Sequence, residues 1–170
     1  MAAVRTLLLA LFVSSAAGAA EPWEAFFDPF LGDLRAELAE AKSAHKAGVM
    51  LMYHFEECPY CARMKREVLS RPEVQRSFHG HFGLVAIDTK GAQAVTAPDG
   101  KVFKERDFAR AMGVRRTPTF DFLGADGARL YRHVGGIYDA AEFLLLGQYV
   151  ASGAYRSLTF DQFKLKNQGT

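Results

Sequence analysis

The chain has 170 residues, of which 49% are hydrophobic and 24% charged, a composition and length that fit one globular domain. Its 21 basic and 19 acidic residues nearly balance. They form no patch of basic and aromatic residues, which argues against nucleic acid as a partner. No repeat or low-complexity segment interrupts the chain.

Residues 1–20 have the pattern of a secretory signal peptide. A lone cation precedes an apolar run over residues 7–13, and small residues end the segment at Ala19 or Ala20, either of which can precede the cleavage site. The apolar run is too short to span a bilayer comfortably, which disfavours an uncleaved anchor. We therefore expect an exported protein whose mature part, residues 21–170, forms one domain.

The first half of the chain predicts the order α-β-α-β. Apolar residues at helical spacing predict a helix from 30 to about 46, ended by Gly48. A buried strand over 49–55 leads into a helix that begins at the cysteines, and Pro72 predicts a second short turn before another apolar strand at 82–87. Two such strands joined by a crossover helix argue for a parallel pair.

The second half of the chain predicts two hairpins and a terminal helix. Turn residues flanked by short apolar runs indicate the hairpins. The predicted elements are a small hairpin or irregular insertion at 90–104, a helix at 105–112, strands at 119–123 and 129–134, a helix at 140–150, and an aromatic-containing tail from 152 that either folds back over the domain or docks a partner.

The two cysteines of the chain lie in the run Glu56-Glu57-Cys58-Pro59-Tyr60-Cys61, at the predicted junction of strand and helix. Pro59 suits the first helical position, which puts Cys58 at the N-cap. A sulfur there faces unpaired N–H groups and the positive end of the helix, which favour the nucleophilic thiolate. A disulfide in so short a loop adds little stability, so the pair indicates redox chemistry. We assign Cys58 as the attacking thiol and Cys61, covered by the chain, as the resolving thiol.

The charges near the cysteines act in opposite directions. Glu56 and Glu57 are expected to raise the pKa of Cys58. Three cations in the following helix are expected to lower it, namely Arg63, Lys65 and Arg66. The sequence leaves the sum of these effects open.

The order of elements and two motifs resemble the thioredoxin fold over residues 30–152. The motifs are Cys58-Pro59-Tyr60-Cys61 after the first strand and Thr117-Pro118-Thr119 at the start of the second hairpin, which Gly135-Gly136 ends. The resemblance implies an α/β fold with a central mixed sheet, flanking helices, an N-terminal helix, an insertion before the proline loop and a C-terminal extension. It also implies a cis Thr117-Pro118 bond beside the sulfurs, and substrate-binding roles for Pro59, Tyr60, Thr117, Pro118 and Gly135.

Within this superfamily the chain resembles SoxW-type periplasmic thioredoxins. The matching segments are 55–61 with 66–69 after it, 113–119 and 149–155. The likeness implies a periplasmic reductant, without cofactor or metal and monomeric, that accompanies sulfur oxidation. Its electrons would come from a membrane thiol reductant such as a DsbD- or CcdA-type transporter, and its substrates would be exported proteins with disulfides.

Two departures from thioredoxins leave alternatives open. Thioredoxins keep a buried acid six residues before the first cysteine, where this chain has Met52, so Asp121 is either a substitute proton relay or a structural carboxylate. The insertion at 90–104 either shapes partner choice or is a tolerated loop. Likewise, Arg115 and Arg116 either favour acidic partners, or steady the thiolate, or are merely solvated.

Two other functions are alternatives to a periplasmic reductant. DsbA-type oxidases and isomerases share these parts but often have His where this chain has Tyr60, so the uncharged Tyr60 favours a reductant. A soft-metal or copper-chaperone protein would use Cys58 and Cys61 with some of the five histidines, but the sequence offers no four-ligand set. His79-Gly80-His81 is expected in a loop.

Overall fold

A four-stranded mixed sheet runs through the centre of the computed structural model, which describes residues 21–167. The predicted signal peptide, residues 1–20, lies outside the described residues. The strands of the central sheet, in spatial order, are β2 (Phe82–Asp88), β1 (Gly48–His54), β5 (Thr119–Leu123) and β6 (Arg129–Val134). Strands β1 and β2 are parallel, as predicted, and the β1–β5 and β5–β6 pairs are antiparallel.

The inserted segment forms a hairpin rather than an irregular insertion, with β3 (Ala94–Thr96) paired to β4 (Val102–Lys104) outside the central sheet. The helices are α1 (Leu34–Ser43), α2 (Pro59–Met64) continued by a π-helical turn (Lys65–Leu69), α3 (Pro72–His81), α4 (Glu105–Ala111), α5 (Ala140–Ala151) and α6 (Phe160–Asn167). This architecture confirms the predicted α/β thioredoxin fold. Within the described range no helix is long and apolar enough to cross a bilayer.

The central strand β1 is apolar on both faces because helices cover both sides of the sheet. Side chains alternate along a strand, so Met50 and Met52 lie on one face and Leu51 and Tyr53 on the other. The first face packs against α2, α3 and α5 and carries the cysteines; we call it the cysteine face. The second packs against α1 and α4 and is the opposite face.

Helix α1 is shorter than predicted at both ends. It begins at Leu34 because the Asp33 carboxylate caps it, accepting the N–H of Arg35 at 2.9 Å. Leu31, which the periodicity places on the buried face, is 97% exposed. The helix ends before His45, and Gly48 instead begins β1, where an added Cβ would collide with the Leu123 carbonyl.

Pro72 begins a ten-residue helix rather than a short turn. Its last turn carries His79 and His81, so the prediction of a loop at these histidines is wrong. His79 contacts the N-terminal segment, with Nε2 3.0 Å from the Ala25 carbonyl and Nδ1 3.4 Å from an Asp28 carboxylate oxygen. This histidine therefore ties α3 to the chain that precedes α1.

The C-terminal tail folds back over α5, which is one of the two predicted arrangements. The Tyr149 hydroxyl donates to the Leu158 carbonyl at 2.7 Å. The rings of Phe160 and Phe163 each lie 5.4 Å from that of Tyr149, between centroids. These contacts extend the core of the cysteine face beyond α5.

Candidate active site

Cys58 and Cys61 are joined as a disulfide at the start of α2. Cys58 is the N-cap and Pro59 occupies the first turn, as predicted, because the strand ends and the fixed φ of proline suits a helix start. The Cys58 sulfur accepts the Cys61 N–H at 3.2 Å. Both cysteines are 1% exposed, so Cys58 is as covered as Cys61 in the oxidised form, whereas the sequence placed only Cys61 under the chain.

The proline loop lies directly over the Cys58 sulfur. The Thr117-Pro118 peptide bond is cis, as the resemblance implied. The Thr117 hydroxyl donates to Cys58 Sγ at 3.3 Å, and Gly135 donates its N–H to the Pro118 carbonyl at 2.9 Å. The tertiary structure therefore brings together two motifs that are 59 residues apart in the chain.

A cavity of about 600 Å³ opens beside Cys58. Its lining includes all five predicted substrate-binding residues, namely Pro59, Tyr60, Thr117, Pro118 and Gly135. The Tyr60 side chain is 63% exposed at its rim. Sequence reasoning missed Tyr138, which also lines the cavity and carries the Arg63 guanidinium 4.0 Å above its ring; its place just after the double glycine was the available signal.

A second cavity, of about 460 Å³, lies beside Cys61 and is lined in part by Trp23, Phe55 and Lys65. The Lys65 ammonium is 3.4 Å from His54 Nδ1 and 3.9 Å from the Trp23 ring centroid. Burial lowers the pKa of Lys65. Burial, together with the Lys65 charge, lowers the pKa of His54 to about 4. No local pattern in the sequence predicts this cluster, because its members come from three separate segments.

Three other charges near the cysteines, those of Glu57, Arg63 and Arg66, are paired. Lys90 bonds the Glu57 carboxylate at 2.9 Å and lowers its pKa. Arg63 and Arg66 both bond Glu67, at 2.8 and 3.0 Å. Of the three cations expected to lower the pKa of Cys58, only Lys65 has no carboxylate within 4.0 Å among residues 21–167.

Asp121 does not replace the missing acid at Met52. It points to the opposite face of the sheet, is fully buried and accepts two hydrogen bonds of 2.6 Å from Arg132. Arg132 also donates to the Met112 carbonyl at 2.9 Å. The proton-relay interpretation of Asp121 is therefore wrong, and its structural interpretation is correct.

The histidines are dispersed over the fold. Across residues 21–167 no three His, Cys, Asp or Glu side chains converge as a set that could hold a metal ion. His54 packs against Lys65, and His79 contacts the N-terminal segment.

Comparison with known proteins identifies the family. Residues 34–151 match the thioredoxin-like domain. A thioredoxin from Thermus thermophilus is 32% identical, with a TM-score of 0.51, over 68% of this chain and 81% of that one.

Two further solved structures share the fold at lower identity. A thioredoxin-fold protein from Helicobacter pylori is 18% identical over 70% of this chain and 78% of its own, with a TM-score of 0.55. A DsbH oxidoreductase is 19% identical over 68% and 79%, with a TM-score of 0.55. No curated protein matched the chain. Because the matched region contains both cysteines, the proline loop and the whole central sheet, the chain belongs to the thioredoxin-like family.

Proposed function

We propose that this thioredoxin-like redox protein is a reductant of disulfides in exported partner proteins. The observation that carries the proposal is the position of the Cys58 sulfur. It lines the open cavity of about 600 Å³, which we call the groove, accepts a hydrogen bond from the Thr117 hydroxyl and forms the disulfide with Cys61. The 32% sequence identity to the Thermus thermophilus thioredoxin supports the proposal. In this proposal Cys58 attacks, Cys61 resolves, and the groove residues bind the partner chain.

The reaction would proceed by two thiol–disulfide exchanges. The Cys58 thiolate attacks one sulfur of the partner disulfide, forming a mixed disulfide and releasing the other partner sulfur as a thiolate, which takes a proton from water. The Cys61 thiolate then attacks Cys58, forming the Cys58–Cys61 bond and releasing the second partner thiolate. Two electrons pass to the partner, and this chain ends as the disulfide described above.

The groove would hold the partner as an extended segment. The backbone of Thr117 borders the cavity and offers strand-like pairing to an added chain. Tyr60 and Tyr138 give the cavity an aromatic wall for a side chain next to the partner's cysteine. Arg116, which is exposed at the same cavity, would favour an acidic residue there.

The reducing direction rests on the surroundings of Cys58. A strong oxidant stabilises the thiolate of its reduced form, for example by a positive charge between the two cysteines. Here Tyr60 at that position is uncharged, and the Thr117 hydroxyl that donates to Cys58 is also uncharged. Equilibration with glutathione or dithiothreitol buffers measures the reduction potential. A value of about −270 mV supports a reductant, whereas one of about −120 mV means a DsbA-type oxidant.

The dithiol assignment is tested by single replacements. Cys58→Ser is expected to abolish insulin reduction, because no nucleophile remains at the groove. Cys61→Ser is expected to retain the attack but to accumulate the mixed disulfide, visible by mass spectrometry under non-reducing conditions. Retention of turnover by Cys58→Ser contradicts the assignment.

We also propose that residues 1–20 direct export to the periplasm and that a membrane thiol reductant of the DsbD or CcdA type re-reduces the chain there. The SoxW-like role in sulfur oxidation belongs to this proposal. N-terminal sequencing of the protein recovered from a periplasmic extract is expected to begin at Ala20 or Glu21. An intact N-terminus in the cytoplasmic fraction alone contradicts it.

A further inference from the structure

Lys65 carries a charge that its neighbours hold in place but do not neutralise. Its ammonium lies 3.4 Å from His54 Nδ1 and 3.9 Å from the Trp23 ring centroid. An ammonium has only donors, so His54 Nδ1 must accept, which requires a neutral imidazole with its proton on Nε2. The pKa of His54, about 4, agrees with this form at neutral pH. Both partners of the ammonium are therefore uncharged.

Lys65 stands on the side of α2 that carries Cys61. Its backbone N–H donates to the Cys61 carbonyl, and residues four apart on a helix have Cβ atoms about 6 Å apart. Side chains on a helix lean toward its N-terminus, which directs Lys65 back toward Cys61. Both residues line the cavity of about 460 Å³, whereas Cys58 lines the other cavity.

Cys61 needs such a charge when the disulfide is reduced. Its side chain is 1% exposed, and burial raises the pKa of a thiol, yet resolution of the mixed disulfide requires the thiolate. Met52 occupies the position of the usual acid, and Asp121 bonds Arg132 on the opposite face. Among the described residues, Lys65 is the cation on this side without a carboxylate partner.

We propose that the Lys65 ammonium, held by His54 and Trp23, stabilises the Cys61 thiolate and so speeds the resolving step; this rests on the proposed function. The Cys61 thiol gives its proton to water, and its electron pair forms the bond to Cys58 Sγ. The mixed-disulfide bond breaks, and the partner leaves as a thiolate that takes a proton from water. Lys65 stays protonated throughout and is a positioning residue that acts through Cys61.

The charges around Lys65 favour its protonated form. Three carboxylates act on it from different segments and oppose the effect of burial on its pKa. The titratable and charged groups that face it are Glu21, Glu24, His54, Glu56, Arg66 and Asp88. None of these carboxylates forms an ion pair with the ammonium within 4.0 Å, and three of them, Glu24, Glu56 and Asp88, favour its charged form.

Titration of Cys61 tests the proposal. Cys58→Ser leaves Cys61 as the single thiol, whose ionisation the ultraviolet absorbance of the thiolate reports. Adding Lys65→Met or Lys65→Gln is expected to reduce the thiolate fraction at neutral pH about tenfold, whereas Lys65→Arg retains it. Lys42→Met, which removes an exposed charge from α1 behind the sheet, is the matched control. Unchanged titration of Cys61 in both neutral variants overturns the proposal.

The rates of the two exchange steps provide a second readout. With both cysteines present, Lys65→Met is expected to slow resolution of the mixed disulfide about tenfold at neutral pH and to approach the parent rate in alkaline solution. An equal loss in the Cys58 attack overturns the proposal, because it indicates a general structural effect. If the parent protein reduces no disulfide, the proposed function fails while the Cys61 titration still tests Lys65.

Discussion

The two faces of the central sheet differ in the partners that they provide for a charged side chain. On the opposite face, Asp121 is fully buried and its carboxylate is neutralised by two short hydrogen bonds from Arg132. On the cysteine face, the half-buried Lys65 has a neutral imidazole and an aromatic ring as partners. A neutralised charge has little field left beyond its partner, whereas an unneutralised one acts on whatever lies beside it. Only the second lies on the same side as the disulfide.

The loss of a paired charge and the loss of an unpaired charge are expected to have different effects. Removing one partner of a buried ion pair leaves an uncompensated charge and is costly. Removing a cation that has no counter-ion costs less stability and changes the ionisation of its neighbours instead. We therefore expect replacements on the opposite face to alter unfolding and replacements on the cysteine face to alter reactivity.

The largest expected effect is that of Asp121→Asn. It removes the carboxylate that neutralises Arg132, so the free energy of unfolding should fall by about 3 kcal/mol, measured by urea denaturation. The rate of insulin reduction per folded molecule should not change. The double replacement Asp121→Leu with Arg132→Met should recover most of the loss, because no charge is then left unpaired. If Asp121→Asn changes the pKa of Cys61, the expectation that charges on the opposite face affect only stability is wrong.

The next effect concerns the pH dependence of stability through His54. Its pKa is about 4 in the folded chain and 6.5 in the unfolded chain, so the unfolded state binds more protons between these values. Stability therefore rises with pH through this window and is lost as the pH falls through it.

Replacement of this histidine isolates its contribution. His54→Gln should remove about 2.5 kcal/mol of the pH dependence, measured by urea denaturation at both ends of the window. His45→Asn changes an exposed histidine and is the control. An equal effect of the two replacements would contradict the assigned role of burial at His54.

The smallest effect is expected from Thr117→Val. Valine keeps the shape of threonine but lacks the hydroxyl that donates to Cys58 Sγ, so the thiolate loses one hydrogen bond. Alkylation of Cys58 by iodoacetamide should slow about threefold at neutral pH, with stability changed by less than about 0.5 kcal/mol. Thr96→Val in the inserted hairpin makes the same change far from the sulfur. A loss of stability without a change in alkylation would contradict the prediction.

The elements that were predicted correctly carry strong local signals. Pro59 after Cys58 indicates a helix start, and Asp99-Gly100 indicates the inserted hairpin. One error, at the start of α1, arose where two local signals competed. Apolar spacing extended α1 back to Phe30, but the Asp33 cap ended that extension, since a side-chain oxygen satisfies the free N–H groups of the first turn.

By itself, the sequence determined the order of the elements along the chain, the position of Cys58 at a helix start and the pairing of Cys58 with Cys61 three residues later. These depend on spacing and on the backbone preferences of a few neighbouring residues. Only the tertiary structure decided which charges are neutralised. Asp121 meets Arg132 and Lys65 meets Trp23 through the packing of separate segments on a sheet whose side chains alternate between faces. Local patterns do not encode such contacts, because their geometry depends on how all the elements pack at once.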